Sequence, residues 1–126
     1  EIRLSLVGSE MCIETDIIYT HCDDDGVLIE AAVNAGAQGI IYAGSGMGSI
    51  HCGAEAALLK AMQRGAAVVR STRVSEGRVL AANPKWDEAG FICGGNLNPQ
   101  KARILLQLAL TCTKDTKKIQ EIFDEY

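Results

Sequence analysis

Three short apolar runs, each followed by a break and then by helical spacing, constrain what this chain can fold into. The runs cover residues 16–21, 39–43 and 67–71 and contain isoleucine or valine pairs. β-Branched residues favour strands, and apolar runs without strict alternation are typical of strands buried on both faces. Segments 27–35 and 53–64 separate the runs and place apolar residues on one helical face. This alternation predicts a parallel sheet with helices on both faces.

Polar and glycine-rich breaks mark the ends of these elements. Asp23-Asp24-Asp25-Gly26 ends the first strand and supplies an N-cap for the helix that follows. Residues 72–97 are predicted to be irregular, with a short strand at residues 91–93. The turns expected within this segment lie at Gly77, Asn83-Pro84 and Gly94-Gly95.

The two ends of the chain differ in how clearly they predict structure. Asn98 and Pro99 open a helix over residues 101–112, because asparagine is a preferred N-cap and proline suits the first helical position. Asp115 caps a final helix. Residues 1–15 alternate apolar and polar side chains only briefly, so we interpret them as a linker or edge strand ahead of one domain, residues 16–126.

The predicted fold class is therefore α/β, with a small parallel sheet of roughly three to five strands flanked by helices in three layers. The architecture is Rossmann-like or flavodoxin-like. In such sheets, ligands meet the loops at the carboxyl ends of the strands. Two loops have that position, at residues 21–25 and 44–49.

Composition excludes several classes of protein. The net charge is −4, and the densest basic stretch, residues 70–78, is interrupted by Glu76. A nucleic-acid interface needs clustered positive charge, so we expect no nucleic-acid partner. No apolar run approaches the roughly 18 residues of a membrane span. The apolar fraction of 48% is that of a globular protein rather than a disordered one.

The five cysteines show no CxxC pair, and we interpret most of them as small buried hydrophobes. Their odd number favours a reducing, cytoplasmic compartment over the periplasm or the exterior. His21-Cys22 and His51-Cys52 could offer nitrogen and sulfur ligands to zinc. Neighbours on an extended chain point to opposite sides, however, so we expect no metal site. Two histidines are also too few to assemble a Ser-His-Asp relay with confidence.

A glycine-rich turn, Gly44, Gly46 and Gly48, follows one strand and precedes a helix. Its spacing departs from GxGxxG, and Arg70-Ser71 stands where a dinucleotide site expects an acidic residue. Glycines permit positive φ and close backbone approach. That approach serves the packing of the turn itself, or else a small ligand or another subunit to which Ser49 would offer its hydroxyl. Residues 70–73 are either a solvated loop or an interface loop.

Four segments together resemble the bacterial type II L-asparaginases and glutaminase-asparaginases. They are AGSGMGS at 43–49, VVRSTRV at 68–74, GFI at 90–92 and LNPQKARILL at 97–106. The resemblance implies the C-terminal domain of a two-domain enzyme. That enzyme would hydrolyse L-asparagine, and L-glutamine as a second substrate, to the acid and ammonia with no cofactor.

The resemblance also implies a shared active site. The family's nucleophilic threonine belongs to the N-terminal domain, and its motif does not occur in this chain. No catalytic residue is therefore assigned here, and the chain alone is expected to be inactive. The implied partners are L-asparagine and the N-terminal domains of the same and the neighbouring subunit, in a homo-oligomer that is a dimer of dimers.

The resemblance places substrate contacts made in trans at Ser49, Asn83 and Met47. Ser49 would help to hold the α-amino end of the substrate. Asn83 stands where a glutamate is expected, and Met47 where many members carry a polar residue. Either the loop is shifted, so that Glu76 or Glu88 takes over, or the affinity is reduced because asparagine brings no charge.

Two other functions stay open from the sequence. One is a non-catalytic binding or scaffold domain of the same ancestry. The other is a nucleotide-binding α/β module.

Overall fold

The computed structural model describes residues 13–126, and the first twelve residues of the predicted linker or edge strand lie outside that range. Four strands and five helices follow one another along the chain. They are β1 Thr15–Tyr19, α1 Val27–Asn34, β2 Gly39–Gly44, α2 Cys52–Gln63, β3 Ala67–Thr72, α3 Pro84–Ala89, β4 Ile92–Cys93, α4 Pro99–Cys112 and α5 Thr116–Glu125.

The strands form one parallel sheet in the order β1-β2-β3-β4. Thr15 pairs with Gly39, Gly39 with Ala67, and Val69 with Ile92, so the strands start almost level. Every residue of β2 and β3 is buried, because both strands are central and covered on both faces. The predicted α/β class with a parallel sheet is confirmed.

The helices cover the two faces in a pattern that follows from the strand order. Each crossover connects a strand to the next one in the same direction across the sheet. Because such crossovers are right-handed, their helices all lie on one face. Helices α1, α2 and α3 pack there through Ile29, Leu58 and Trp86. The opposite face is covered by α4 and α5, which contribute Leu106 and Ile119 among others. The three predicted layers are therefore present.

Alternation along the central strands supplies both halves of the core. Ile40 and Tyr42 of β2 point toward the crossover helices, whereas Ile41 points toward α4. All three side chains are fully buried. Two cores, separated by the sheet, result from the two-residue period of the strands.

One local prediction is wrong. Residues 72–97 are not irregular throughout, because α3 begins at Asn83-Pro84, where we predicted a turn. Asn83 accepts from the N–H groups of Lys85 and Trp86, and Pro84 occupies the first turn. The N-cap predicted for α1 within residues 23–26 is confirmed: it is Gly26, at φ 81° and without a side-chain cap bond, while Asp25 Oδ1 accepts from Val27 N–H at 3.1 Å. The predicted caps at Asn98 and Asp115 are confirmed.

Candidate functional site

Loops after β1, β2 and β3 meet at one edge of the sheet, where parallel strands place their carboxyl ends. The backbone pairing continues just past the strands: Thr20 N–H donates to Ala43 O at 2.9 Å, and Arg73 N–H donates to Gly44 O at 2.9 Å. Both predicted ligand-facing loops therefore lie at this edge and are tied to the sheet at their bases.

The turn Gly44–Ser49 closes on itself. The carbonyl of Ser45 accepts from the N–H groups of Gly48 at 3.0 Å and Ser49 at 2.9 Å, and Ser45 N–H donates to Ser49 O at 3.3 Å. These bonds form an isolated antiparallel bridge. Because the N–H groups of Gly48 and Ser49 are used inside the turn, they are not free to cradle a phosphate. This argues against the nucleotide-binding alternative.

Each glycine of the turn has its own physical reason. Gly46 and Gly48 have φ of 53° and 84°, a region that side-chain-bearing residues adopt at a cost. A Cβ on Gly48 would also lie 2.8 Å from Val79 Cγ2. Gly44 has ordinary φ, but a Cβ there would collide with the carbonyl oxygen of Ser49. The turn is thus shaped by steric limits at Gly44 and Gly48 and by backbone conformation at Gly46.

Two side chains of β3 hold the turn from inside. Arg70 Nε donates to Gly48 O at 3.2 Å, and Arg70 Nη2 donates to Met47 O at 3.4 Å. Thr72 Oγ1 donates to Gly46 O at 2.5 Å. Three successive carbonyls are therefore bonded to buried side chains, which fixes the path of the backbone.

Residues 70–73 are consequently not the solvated or interface loop that the sequence suggested. Arg70, Ser71 and Thr72 complete β3 and are buried, and only Arg73 is exposed. Polarity misled the prediction, because the partners of Arg70 and Thr72 are carbonyls more than twenty residues away in sequence. The signal that could have suggested buried donors at Arg70 and Thr72 is the glycine-rich turn on the neighbouring strand, since the carbonyls of that turn need hydrogen-bond partners.

The side chains of the turn face outward. Met47 is 58% exposed, and Ser45 and Ser49 are also exposed. The segment after β3 packs beside the turn, because Gly77 lies next to Gly46 O and Val79 lies next to Gly48. Apolar side chains are also exposed on this segment, at Val74 and Leu80. The edge thus presents a fixed turn with apolar and hydroxyl groups toward its surroundings.

The other loop, between β1 and α1, is held by a buried carboxylate. Asp24 is 3% exposed; its Oδ1 accepts from Gly26 N–H at 3.1 Å, and its Oδ2 accepts from Tyr42 OH at 2.7 Å. Tyr42 OH also bonds to Thr20 Oγ1 at 2.9 Å. Burial, together with the Asp24 carboxylate, raises the pKa of Tyr42 to about 12 against the opposing hydrogen bond from Thr20. The phenol therefore stays neutral at ordinary pH.

Asn83 lies at the N-terminus of α3. Its side-chain oxygen accepts from Lys85 N–H at 3.1 Å and Trp86 N–H at 3.4 Å. That oxygen caps the helix. Glu76 and Glu88, the acidic residues that the sequence offers in place of Asn83, are exposed.

An ion pair joins α3 to α2. Lys85 Nζ and Trp86 Nε1 both donate to the Glu55 carboxylate, the latter at 2.9 Å. The hydrogen bond from Lys85, followed by that from Trp86, lowers the pKa of Glu55 below its ordinary value of 4.5. The position of α3 is therefore fixed by polar as well as apolar contacts.

The cysteine prediction is largely wrong for the described part of the chain. Cys22, Cys52 and Cys112 are exposed, and only Cys93 is buried. Burial raises the pKa of the Cys93 thiol, although the Arg70 guanidinium opposes that rise. Cys12 lies outside the described residues.

Metal-binding and relay chemistry find no support in residues 13–126. No group of three or more His, Cys, Asp or Glu side chains there is placed to hold a metal ion, so His21-Cys22 and His51-Cys52 do not converge. Both histidines bond locally, His21 Nδ1 with Cys22 O and His51 Nδ1 with Gly53 N–H. Within the same range no helix is long and apolar enough to cross a membrane.

Fold and edge together define a parallel three-layer α/β domain whose strand-end turn is fixed from within and offers its side chains outward. Residues 14–123 match the family model described as the glutaminase/asparaginase C-terminal domain, so the chain belongs to that family.

Relatives and a solved structure agree with this assignment. The chain is 49% identical over 113 residues to L-asparaginase 2 of Bacillus subtilis, covering 90% of this chain and 30% of that protein. It is 44% identical to a probable periplasmic L-asparaginase of Haemophilus influenzae, covering 87% and 32%. The crystal structure of a probable cytoplasmic L-asparaginase from Campylobacter jejuni superposes with a TM-score of 0.85 at 46% identity, covering 90% of this chain and 37% of that one. The chain thus spans about a third of the length of these relatives.

Proposed function

We propose that residues 16–126 form the C-terminal domain of an enzyme that hydrolyses the side-chain amide of L-asparagine, with L-glutamine as a second substrate. The single observation that carries the proposal is the turn Gly44–Ser49: its backbone is fixed by buried donors while Ser49 and Met47 face outward. A rigid turn with free side chains is suited to positioning a ligand. The relatives that share this domain are L-asparaginases.

The site is proposed to be shared between subunits. The N-terminal domain of a neighbouring subunit supplies the nucleophilic threonine, whose hydroxyl attacks the amide carbon and releases ammonia before water releases the acid. This chain lends Ser49 and Met47 to the substrate in trans. The apolar side chains of Met47, Val74 and Leu80 are exposed around the turn and suit burial against a companion domain. The whole assembly is a dimer of dimers that needs no cofactor and works in the cytoplasm.

The contact with the substrate ammonium group is assigned to the carboxylate of Glu76 rather than to the amide of Asn83. The oxygen of Asn83 is engaged in capping α3, whereas Glu76 precedes Gly77, which packs against Gly46 of the turn. A carboxylate at this position would make the charge-assisted bond that an amide cannot.

The proposal is tested in the intact enzyme by Ser49→Ala. We expect KM for L-asparagine to rise roughly fivefold with little change in kcat, the effect of losing one neutral hydrogen bond. Ser45→Ala is the matched control, since Ser45 is also exposed on the same turn and should leave KM unchanged. An unchanged KM in Ser49→Ala would remove Ser49 from the site.

Glu76 is tested against Glu88 in the same assay. Glu76→Gln should raise KM by at least about tenfold, as expected for a hydrogen bond between charged groups. Glu88→Gln, at an exposed position on α3, should have no effect. The reverse pattern would transfer the role to Glu88.

A further test concerns the chain alone. Residues 1–126, rigorously purified, should release no ammonia from L-asparagine, because the attacking hydroxyl belongs to another domain. Turnover by this fragment would mean that the nucleophile lies within it.

A further inference from the structure

We propose that Arg70 is a positioning residue that fixes the turn Gly44–Ser49 relative to α3, and thereby sets the affinity of the site for its substrate. This inference rests on the proposed function. Arg70 lies in β3 with only 3% of its surface exposed, so its guanidinium is enclosed by the groups that it joins.

One side of the guanidinium holds the turn. Its Nε and Nη2 atoms donate to the carbonyls of Gly48 and Met47, respectively. These are the two residues that immediately precede Ser49 in the chain. The Gly48 carbonyl and the Ser49 N–H belong to one planar peptide group. A change in the direction of that carbonyl would therefore also rotate the Ser49 N–H, which donates to Ser45 O. Arg70 therefore acts on the position of Ser49 without touching its side chain.

The other side of the guanidinium holds α3. Arg70 Cζ lies 4.7 Å from the centroid of the Trp86 ring, and Nη1 lies 3.8 Å from Asp87 Oδ1. Nη1 also lies 3.9 Å from Cys93 Sγ in β4. Stacking on an aromatic face and pairing with a carboxylate are contacts that a planar guanidinium can make at once.

The link continues beyond α3. Trp86 Nε1 donates to Glu55 of α2, so the turn, α3 and α2 are joined through one buried cation. A lysine at position 70 would keep the charge but lose the forked geometry, and could not serve two carbonyls, a ring and a carboxylate together. The chemistry of the side chain at position 70 therefore matters beyond its charge.

Because Arg70 lies behind the turn and contacts backbone rather than reacting atoms, its loss should act on binding more than on chemistry. In the intact enzyme, Arg70→Lys should raise KM for L-asparagine roughly tenfold, with kcat changed less than about twofold. Asp87→Asn removes the charge that faces Arg70 Nη1 and Cys93 Sγ but leaves the turn contacts of Arg70 in place, and should raise KM about two- to threefold. Arg64→Met is the control, since Arg64 is exposed and bonds Asn34 at the far end of α1; its KM should not change.

Hydrogen exchange in the same enzyme gives a second readout that does not depend on activity. Arg70→Lys should speed exchange at the Gly48 and Ser49 amides about tenfold, with the Ala35 amide in α1 unaffected. An unsubstituted enzyme inactive on L-asparagine overturns the proposed function, while exchange still tests Arg70. Unchanged exchange at Gly48 and Ser49, or an active enzyme with unchanged KM or equal losses of kcat and kcat/KM in Arg70→Lys, overturns this inference.

Discussion

The two loops at the carboxyl edge of the sheet are built in opposite ways. In the turn Gly44–Ser49, side chains from a neighbouring strand reach into the loop and bond its carbonyls, and the loop's own side chains remain outside. In the loop before α1, the loop's own carboxylate, Asp24, turns inward and bonds Tyr42 and Gly26 N–H.

The comparison shows that a loop at the carboxyl ends of the strands is not by that position alone a binding loop. Both loops follow adjacent parallel strands, and the sequence ranks them equally as ligand sites. The turn keeps Ser49 and Met47 available, whereas the second loop uses Asp24 to hold itself in place. In this domain, the strand-end loop with outward-facing side chains is the one whose backbone is held by side chains of another strand.

The largest effect is expected where the turn has no spare room. Gly44→Ala would drive a Cβ into the carbonyl oxygen of Ser49 and should destabilise the protein by about 3 kcal/mol, at the upper end of overpacking costs. Gly46→Ala is the matched control: nothing lies within 4 Å of its added Cβ, so only its positive φ should cost about 1 kcal/mol. Urea unfolding of both variants measures the difference. Equal losses would mean that the turn is not sterically closed.

A smaller effect tests the inward-facing carboxylate. Tyr42→Phe leaves Asp24 without its phenol donor and should cost about 2 kcal/mol. The pKa of Tyr42 is raised from 10.0 to about 12 in the folded protein, so its contribution is complete below pH 10 and is lost as the pH rises toward 12. Unfolding free energy measured from pH 9 to 12 should therefore fall less steeply in Tyr42→Phe. Tyr19→Phe, at an exposed tyrosine, should keep the slope of the unsubstituted protein.

The smallest effect is expected at Glu55, which links α2 to α3. Glu55→Gln weakens the link between α2 and α3 and should cost about 1 kcal/mol at neutral pH. The pKa of Glu55 is lowered, so its contribution is present above pH 4.5 and is lost as the pH falls through the folded-state pKa. Acid unfolding should show a shallower decline below pH 4.5 in the variant. An unchanged acid profile would show that the Glu55 carboxylate does not contribute to holding α3.

The sequence predicted the fold well because periodicity and breaks are local signals. Strand runs at residues 39–43 and 67–71 and the caps at Asn98 and Asp115 depend only on neighbouring residues. Helix α3 was missed, although its Asn-Pro opening is the same as that of α4, because no long apolar stripe follows it: none of its residues is buried.

The support of the site could not be predicted in the same way. Arg70 and Thr72 bond carbonyls of residues 46–48, which are more than twenty residues distant in sequence, so nothing local shows that these polar side chains are buried. The burial of Asp24 could not be predicted either. Asp23 and Asp25, on either side of it, are exposed, and nothing in the sequence distinguishes the buried aspartate from these two. Exposed cysteines were missed because their environment is set by packing rather than by composition.

The central claim is that this domain completes a site on another subunit, and mixed assemblies of the intact enzyme test it most directly. One parent carries Ser49→Arg, which blocks the outward face of the turn, and the other has its N-terminal nucleophilic threonine replaced by valine. In a random two-site dimer, contacts made in trans would restore one site per mixed pair, so ammonia release should recover to about a quarter of the unsubstituted rate. No recovery above the two inactive parents, in assemblies shown to have mixed, would contradict the account.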